Sequence, residues 1–543
     1  MRTFTDKSAI ESKILGQYHG QGAEMMEEHN AKNKIITVIS DLSRGVLYML
    51  AAVMLLWLSC KGLVNGSQWY GDIAGIGVLL VRIAILGGMI VLSLLAGLAM
   101  ERLLPWKKQT EMVILAVCCL LFGGVCIWWV TIVPYQMEGD QLIVWYNSVL
   151  ALENDFTMYS HGGQMFIYPQ QQGLSFLYEL LFRITGSTSY RMIGYVNAFM
   201  APFTLFFGYQ CTKECFGKPV GVRFLPLMML CLPYIIYSPY VYGDIPSICY
   251  GFILLWAVLK AVQKGQYRYW IAACVIAVLA LLSRMNIWIF FIGVVIGLIY
   301  LAMYRWSFKP LLLGVCIVLS ASLSMTAVKQ FNSFRSGEPV SKGMPSVLWM
   351  AMGLQYSEWG AGYYNDYSKK VYMETGLDRE LAASIGVQEV KDRLKILLND
   401  PIQAKMFFEA KMEMQWLDPL FESIKFTGDF KEEVPGEFVT WIYQGEGYRL
   451  LCGFCAHMMA AVYIFALMGI LCRFRPQKPV WQDIPLIIFV GGFLFSIIWE
   501  AKSRYILPYF VLLLPYAASG LVVSTGFIRQ RIKIIKTKFI KYK

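Results

Sequence analysis

The sequence predicts an all-α polytopic membrane protein with about twelve transmembrane helices, interfacial helices in its first large external loop, and a small, mainly helical extracytoplasmic domain. Three observations carry this expectation. Hydrophobic residues make up 57% of the 543, with a mean hydropathy of +0.52 and only 15% charged, which is too apolar for a soluble domain. Apolar runs long enough to cross a hydrocarbon core recur along the chain. Lysine and arginine collect in alternate short loops, the pattern expected of cytoplasmic connections.

Residues 1–43 are polar and are expected to be cytoplasmic. They contain no apolar segment, so the first run, from about Val46, acts as the insertion signal and no cleaved signal peptide is expected. Spans are expected at 44–60, 76–100, 111–133, 190–212, 222–241, 246–264, 268–283, 286–304, 309–329, 449–472, 484–499 and 505–526. They form one membrane module over 44–330, with an external loop at 134–189, and a C-terminal group over 448–526. Arg102, Lys107 and Lys108 hold the second connection inside, which places the N-terminus inside and delivers Glu138 and Asp140 to the outer surface. The stretch Gln172–Ile184 is apolar but only about two-thirds of the spanning length. Read as a span, it would put Lys213, Lys218 and Arg223 outside. Read as an interfacial helix, it puts them inside together with Lys260, Lys264, Arg268, Arg305, Lys309, Arg473, Arg475 and Lys478. The second reading is adopted, and it places Asp244 on the same face as Asp140. The tail, 527–543, interleaves seven Lys and Arg with Ile and Phe, as in a cytoplasmic helix lying on anionic lipid.

The polar block 331–447 falls outside by the same count. It holds twelve Lys and Arg against eighteen Asp and Glu, a net charge of −6 in a chain of net +12. The large polar block is therefore acidic, which argues against nucleic-acid binding. Apolar residues at helical spacing predict a helix over Asp378–Asp400, stopped by Pro401, and another over Ile402–Trp416. The block has no cysteine. Most of the 13 cysteines lie in apolar runs, and Cys452 and Cys455 lack the second pair a zinc site needs, so packing is their expected role.

Several polar residues stand at the expected outer ends of spans. Asp140, with Glu138 beside it, follows the third span. A carboxylate there either is a solvated loop acid or serves as a general base toward an attacking hydroxyl. Asp244, in YVYGDIPS, opens a span, where capping is the structural alternative. Arg284 sits between two apolar runs with almost no loop, either snorkelling at the interface or placed for a phosphate, whose oxygens match the guanidinium fork. Glu500, Lys502 and Arg504, in WEAKSRYILPY, are more easily explained facing a polar cavity than lipid, although an ion pair between spans is the alternative. In YSHGGQMFIYPQQQG, the residues His161, Tyr168, Gln170 and Gln171 could hold sugar hydroxyls or belong to an interfacial aromatic belt. Arg82, near the start of the second span, is expected to snorkel.

These residues together resemble the type C (GT-C) glycosyltransferase superfamily, especially bacterial relatives of protein O-mannosyltransferases and lipid A aminoarabinose transferases. The resemblance rests on the acidic first external loop (Glu138, Gly139, Asp140), the short helix led by YPQQQG, the second acid in YGDIPS, and EAKSRY. It implies transfer of a sugar from a polyprenyl-phosphate carrier to a hydroxyl-bearing acceptor at the outer face of the cytoplasmic membrane. Asp140 would be the base, Asp244 a second acid, and Arg284, Lys502 and Arg504 the donor-phosphate ligands. No cofactor is firmly implied, and a divalent cation stays open, since many relatives carry a second acid where this chain has Gln141. A transporter or flippase for a lipid-linked saccharide is the alternative, disfavoured because the charges gather at one face and no repeat is evident. The sequence sets neither the sugar, nor the acceptor, nor the oligomeric state.

Overall fold

A computed structural model describes residues 38–64, 76–103, 108–430, 434–473 and 480–541. The expectations for residues 1–37, for Lys107, Arg475 and Lys478, and for the side chains beyond Arg531 lie outside the described residues. The protein is an all-α polytopic membrane protein. Among the described residues, eight helices are long and apolar enough to cross a membrane, and shorter apolar helices join them.

The first three long helices are α1 (Val38–Val64), α2 (Ile76–Leu103) and α3 (Lys108–Ile132). Arg82 of α2 does not snorkel: it is 1% exposed and donates to the carbonyl of Gly62. Gly62 lies in the last turn of α1, where carbonyls lack an intrahelical partner, so the guanidinium finds an acceptor inside the bundle.

Three short helices follow, α4 (Asp140–Leu152), α5 (Gln164–Ile167) and α6 (Gln172–Thr185), before the long α7 (Tyr190–Phe216). In α6, Leu174, Tyr178 and Phe182 are buried while Ile184 is exposed. This one-sided pattern at fourfold spacing suits a helix lying against the bundle. Gly186, at φ 68°, ends it in the left-handed conformation that glycine adopts freely.

The span expected at 222–241 is not one helix. It is divided into α8 (Lys218–Met229) and α9 (Leu232–Ile236), and an irregular stretch leads on to α10 (Asp244–Lys264). Proline explains the break, since Pro233 has no N–H to offer the Met229 carbonyl and its ring crowds that position. The irregular stretch carries Tyr240 and Tyr242 toward the functional end. Three further apolar helices, α11 (Tyr267–Ser283), α12 (Trp288–Arg305) and α13 (Lys309–Ser336), run back and forth beside α10.

The acidic block contributes α14 (Val347–Gly353), a two-strand antiparallel hairpin of β1 (Tyr356–Ser357) and β2 (Gly360–Ala361), α15 (Tyr367–Glu374), α16 (Arg379–Asn399), α17 (Pro401–Trp416), α18 (Ser423–Thr427) and α19 (Glu437–Gln444). Asp378 caps α16 by accepting from the amides of Glu380 (2.9 Å) and Leu381 (3.0 Å), and Asp400 caps α17 in the same way. Pro401 both stops α16 and starts α17, because its missing N–H is needed within a helix but not in a first turn. The chain ends in α20 (Glu446–Arg473), α21 (Ile484–Ile498) and α22 (Leu507–Lys541).

This block packs directly onto the membrane helices. Trp416, fully buried, lies against Phe489, Phe493 and Tyr509, donates to Ser496 Oγ (3.0 Å), and its carbonyl accepts from Tyr463 (2.7 Å). Chain direction separates two ends of the molecule. Asp244, Arg284 and the α21–α22 turn share one end with α4–α6. Lys213 and Lys218, both paired with Glu111, and Lys260, paired with Glu214, lie at the other.

Candidate active site

A cavity of about 720 Å³ opens at the first of these ends. One wall is the start of α4. Gly139, at φ 53°, makes the left-handed turn that leads the chain from α3 into α4. Asp140 then occupies the first turn of α4, exposed and lining the cavity. Glu138 lines the same wall. The Gln136 amide, donating to the Asp429 carbonyl (3.1 Å), ties this loop to the acidic block. Within α4, buried Asn147 donates to Tyr159 Oη (3.0 Å) and to Ser175 Oγ of α6 (2.7 Å), fixing the helix that carries Asp140.

Another part of the lining is cationic. Arg284 follows α11 in extended backbone and forms an ion pair with Asp244, the first residue of α10. Asp244 is 2% exposed and stands behind the cavity wall, so its contact with the cavity runs through Arg284. The fit at this point depends on Gly243, where a Cβ would overlap the Ser283 carbonyl oxygen. Gly243→Ala is expected to destabilise the protein by about 1–3 kcal/mol, as overpacking does. An unchanged melting temperature in detergent would contradict this close approach.

The turn between α21 and α22 supplies the other cations. It is held by the Ala501 amide on the Gly362 carbonyl (2.8 Å) and by Ser503 Oγ on Asp418 (2.6 Å). It also lies so close to Gly353 that a Cβ there would be 2.7 Å from the Trp499 carbonyl. Glu500 pairs with Lys502 (2.9 Å) and accepts from Tyr505 Oη (3.2 Å). Burial pulls the Lys502 ammonium down, but Glu500 and Tyr505 together more than offset it and hold the pKa above its ordinary value. Arg504 is 5% exposed, donates to Tyr240 Oη, and stands 4.7 Å from the Phe426 ring and 5.2 Å from Tyr505. Among the described residues no carboxylate lies within ion-pair distance of its guanidinium, and its Nε has no hydrogen-bond partner. A buried cation in such a setting favours an anion beside it.

Tyr168, Gln170 and Gln171 line the cavity, and Gln171 accepts from Gln164 (3.1 Å). His161 does not join them. Its ring lies 5.0 Å from Phe166, away from the lining residues. Residues of the acidic block that no motif singled out also line the cavity, among them Trp349, Tyr364, Lys425 and Asp429. Asp418, behind the cationic turn, was likewise missed. Among the described residues no three His, Cys, Asp or Glu side chains gather to hold a metal ion.

Burial pushes the Asp418 carboxyl up to about 6, against the opposing pull of hydrogen bonds from Ser503 and from the amides of Leu420 and Glu422. The folded state therefore holds this proton more tightly than the unfolded state, so the linked stability is present at low pH and is lost as pH rises through about 6. The melting temperature of the wild type minus that of Asp418→Asn, which does not titrate, is expected to fall between about pH 4 and pH 6 and to level off above it. A difference that stays flat or rises would contradict the burial argument.

The chain is similar to the GT-C type membrane glycosyltransferases. The particular family whose model it matches, over residues 173–327, is the dolichyl-phosphate-mannose-protein mannosyltransferases. The matched stretch runs from α6 into α13 and includes Asp244 and Arg284, but neither Asp140 nor the Glu500–Arg504 turn. No curated protein matched the chain. The family match supports a mannosyltransferase-like enzyme that draws on a sugar linked to a dolichyl or polyprenyl phosphate.

Proposed function

We propose that this protein is an inverting glycosyltransferase that moves a sugar from a polyprenyl-phosphate carrier to a hydroxyl of a cell-envelope glycan, lipid or protein, at the outer face of the cytoplasmic membrane. Both termini would then be cytoplasmic, and 331–447 would form an extracytoplasmic domain. The observation that carries the reading is the buried Arg504 guanidinium, with no carboxylate within ion-pair distance among the described residues, in the same cavity as the exposed carboxylate of Asp140.

In this mechanism Asp140 accepts the proton of the acceptor hydroxyl as its oxygen attacks the anomeric carbon. The bond from that carbon to the phosphate oxygen breaks on the opposite face, and its electron pair leaves with the lipid phosphate. Arg504, Lys502 and Arg284 face the departing oxygens, where fixed cations in a site shielded from water lower the barrier most. Asp244 and Glu500 hold two of these cations in place. Tyr168, Gln170 and Gln171 offer hydrogen bonds to sugar hydroxyls. The apolar tail stays between helices in the bilayer.

Purified protein incubated with a panel of polyprenyl-phosphate sugars is expected to consume at least one donor in the presence of hydroxyl acceptors. Folded protein that consumes none of them would overturn the reading.

A further inference from the structure

Behind the cationic turn lies a second lysine that the mechanism does not use. Lys411 of α17 is 0% exposed, and its ammonium donates to the Gly353 carbonyl at the end of α14 (2.5 Å). The hairpin presses on its stem, since a Cβ on Gly362 would lie 2.8 Å from Lys411 Cε. The same Gly362 carbonyl accepts from Ala501 in the turn. Lys411 therefore sits directly beneath the segment that carries Glu500, Lys502 and Arg504.

A buried ammonium with one carbonyl partner is costly unless a carboxylate faces it. The elements packed around it present a backbone carbonyl from α14 and backbone from the hairpin, Glu500 of the turn acts on it electrostatically, and Gln415 of its own helix donates to the Lys411 backbone carbonyl, not to the ammonium. Among the described residues, Glu500 is the charged group that acts on Lys411. Glu500 is thus shared electrostatically by two lysines: it pairs directly with Lys502 at 2.9 Å and acts at longer range on the buried Lys411.

We infer that Lys411 is a positioning residue for the phosphate site: its charge draws Glu500 back into the wall and leaves the Lys502 ammonium turned toward the leaving phosphate. The inference rests on the phosphate-binding reading above. When Lys411 is neutral, Glu500 belongs wholly to Lys502 and competes with the phosphate for it. Burial, partly opposed by Glu500, lowers the Lys411 pKa to about 7, so this exchange falls near neutral pH. The phosphate itself gains charge as pH rises through about 6, which alone would strengthen binding. A loss of affinity above pH 7 therefore separates Lys411 from the ligand's own titration.

The test measures binding of a fluorescent short-chain prenyl phosphate to the full-length protein in nanodiscs between about pH 6 and pH 8.5, with the matching prenyl alcohol as control. Wild type is expected to lose about tenfold in affinity over this range. Lys411→Met is expected to be weak and without that loss throughout, and Lys411→Arg to stay tight throughout. Glu500→Gln is expected to abolish the pH-dependent loss, which keeps the proposal testable if the Lys411 variants do not fold. Persistence of the loss in Lys411→Met or in Glu500→Gln overturns the proposal. A wild type that binds, weakens on Arg504→Gln and shows no loss above pH 7 overturns this proposal alone. A wild type that binds no prenyl phosphate at any pH overturns the phosphate reading and this inference with it.

Discussion

Asp140→Asn is expected to reduce kcat for sugar transfer by about 10²–10⁴-fold, the usual contribution of a positioned general base. The substitution keeps the shape of the side chain and its place in the first turn of α4, but removes the capacity to accept a proton. Donor affinity should remain within about twofold, since the phosphate ligands are other residues of the lining and a kcat loss without a KM change marks a group acting in the transition state. Glu138→Gln provides the comparison. It lines the same wall two residues earlier, and its loss should lower the rate far less if Asp140 alone takes the proton. Kinetics of both variants with a defined donor separate the two acids. Equal losses would mean that the pair acts as a unit.

Arg504→Gln is expected to have the second large effect, a fall of about 10²–10³-fold in kcat/KM, comparable with removing one preorganised donor from a site of developing negative charge. The size follows from the surroundings. The guanidinium is buried among Tyr240, Tyr505 and Phe426, rings that exclude water and leave its charge poorly screened. Arg504→Lys should not restore activity, because a point charge cannot reproduce the planar fork or its packing against the rings. The melting temperature of Arg504→Gln should hold or rise, since the variant removes a buried charge that has no carboxylate within ion-pair distance among the described residues. A strongly destabilised variant with intact donor affinity would instead assign Arg504 a structural role.

Much of the layout was legible in the sequence because membrane insertion imposes simple rules. Apolar runs of spanning length mark the helices, and basic loops mark one side, so Asp140, Asp244, Arg284 and Arg504 could be assigned to a common end before any geometry was known. The error at 222–241 has a local cause. Hydropathy counts apolar residues and is blind to the backbone break that Pro233 imposes, and that break brings Tyr240 to Arg504 and Tyr242 to the cavity wall. Asp244 looked like a site acid and lies instead behind Arg284, a distinction that depends on which way one buried carboxylate turns. Lys411, Asp418 and Lys425 were illegible for a different reason. They sit on amphipathic or irregular stretches of the acidic block with no motif of their own, and acquire meaning only where α17 and α18 fold over a turn some 80 residues further along the chain.

The central claim is a single displacement at the anomeric carbon, with Asp140 as base and the lipid phosphate as leaving group. The most direct test is NMR determination of the anomeric configuration of the product formed by purified protein from a polyprenyl-phosphate sugar of known configuration. Inversion, lost together with activity in Asp140→Asn, is the predicted result. Retention of configuration, or transfer that survives Asp140→Asn undiminished, would contradict it.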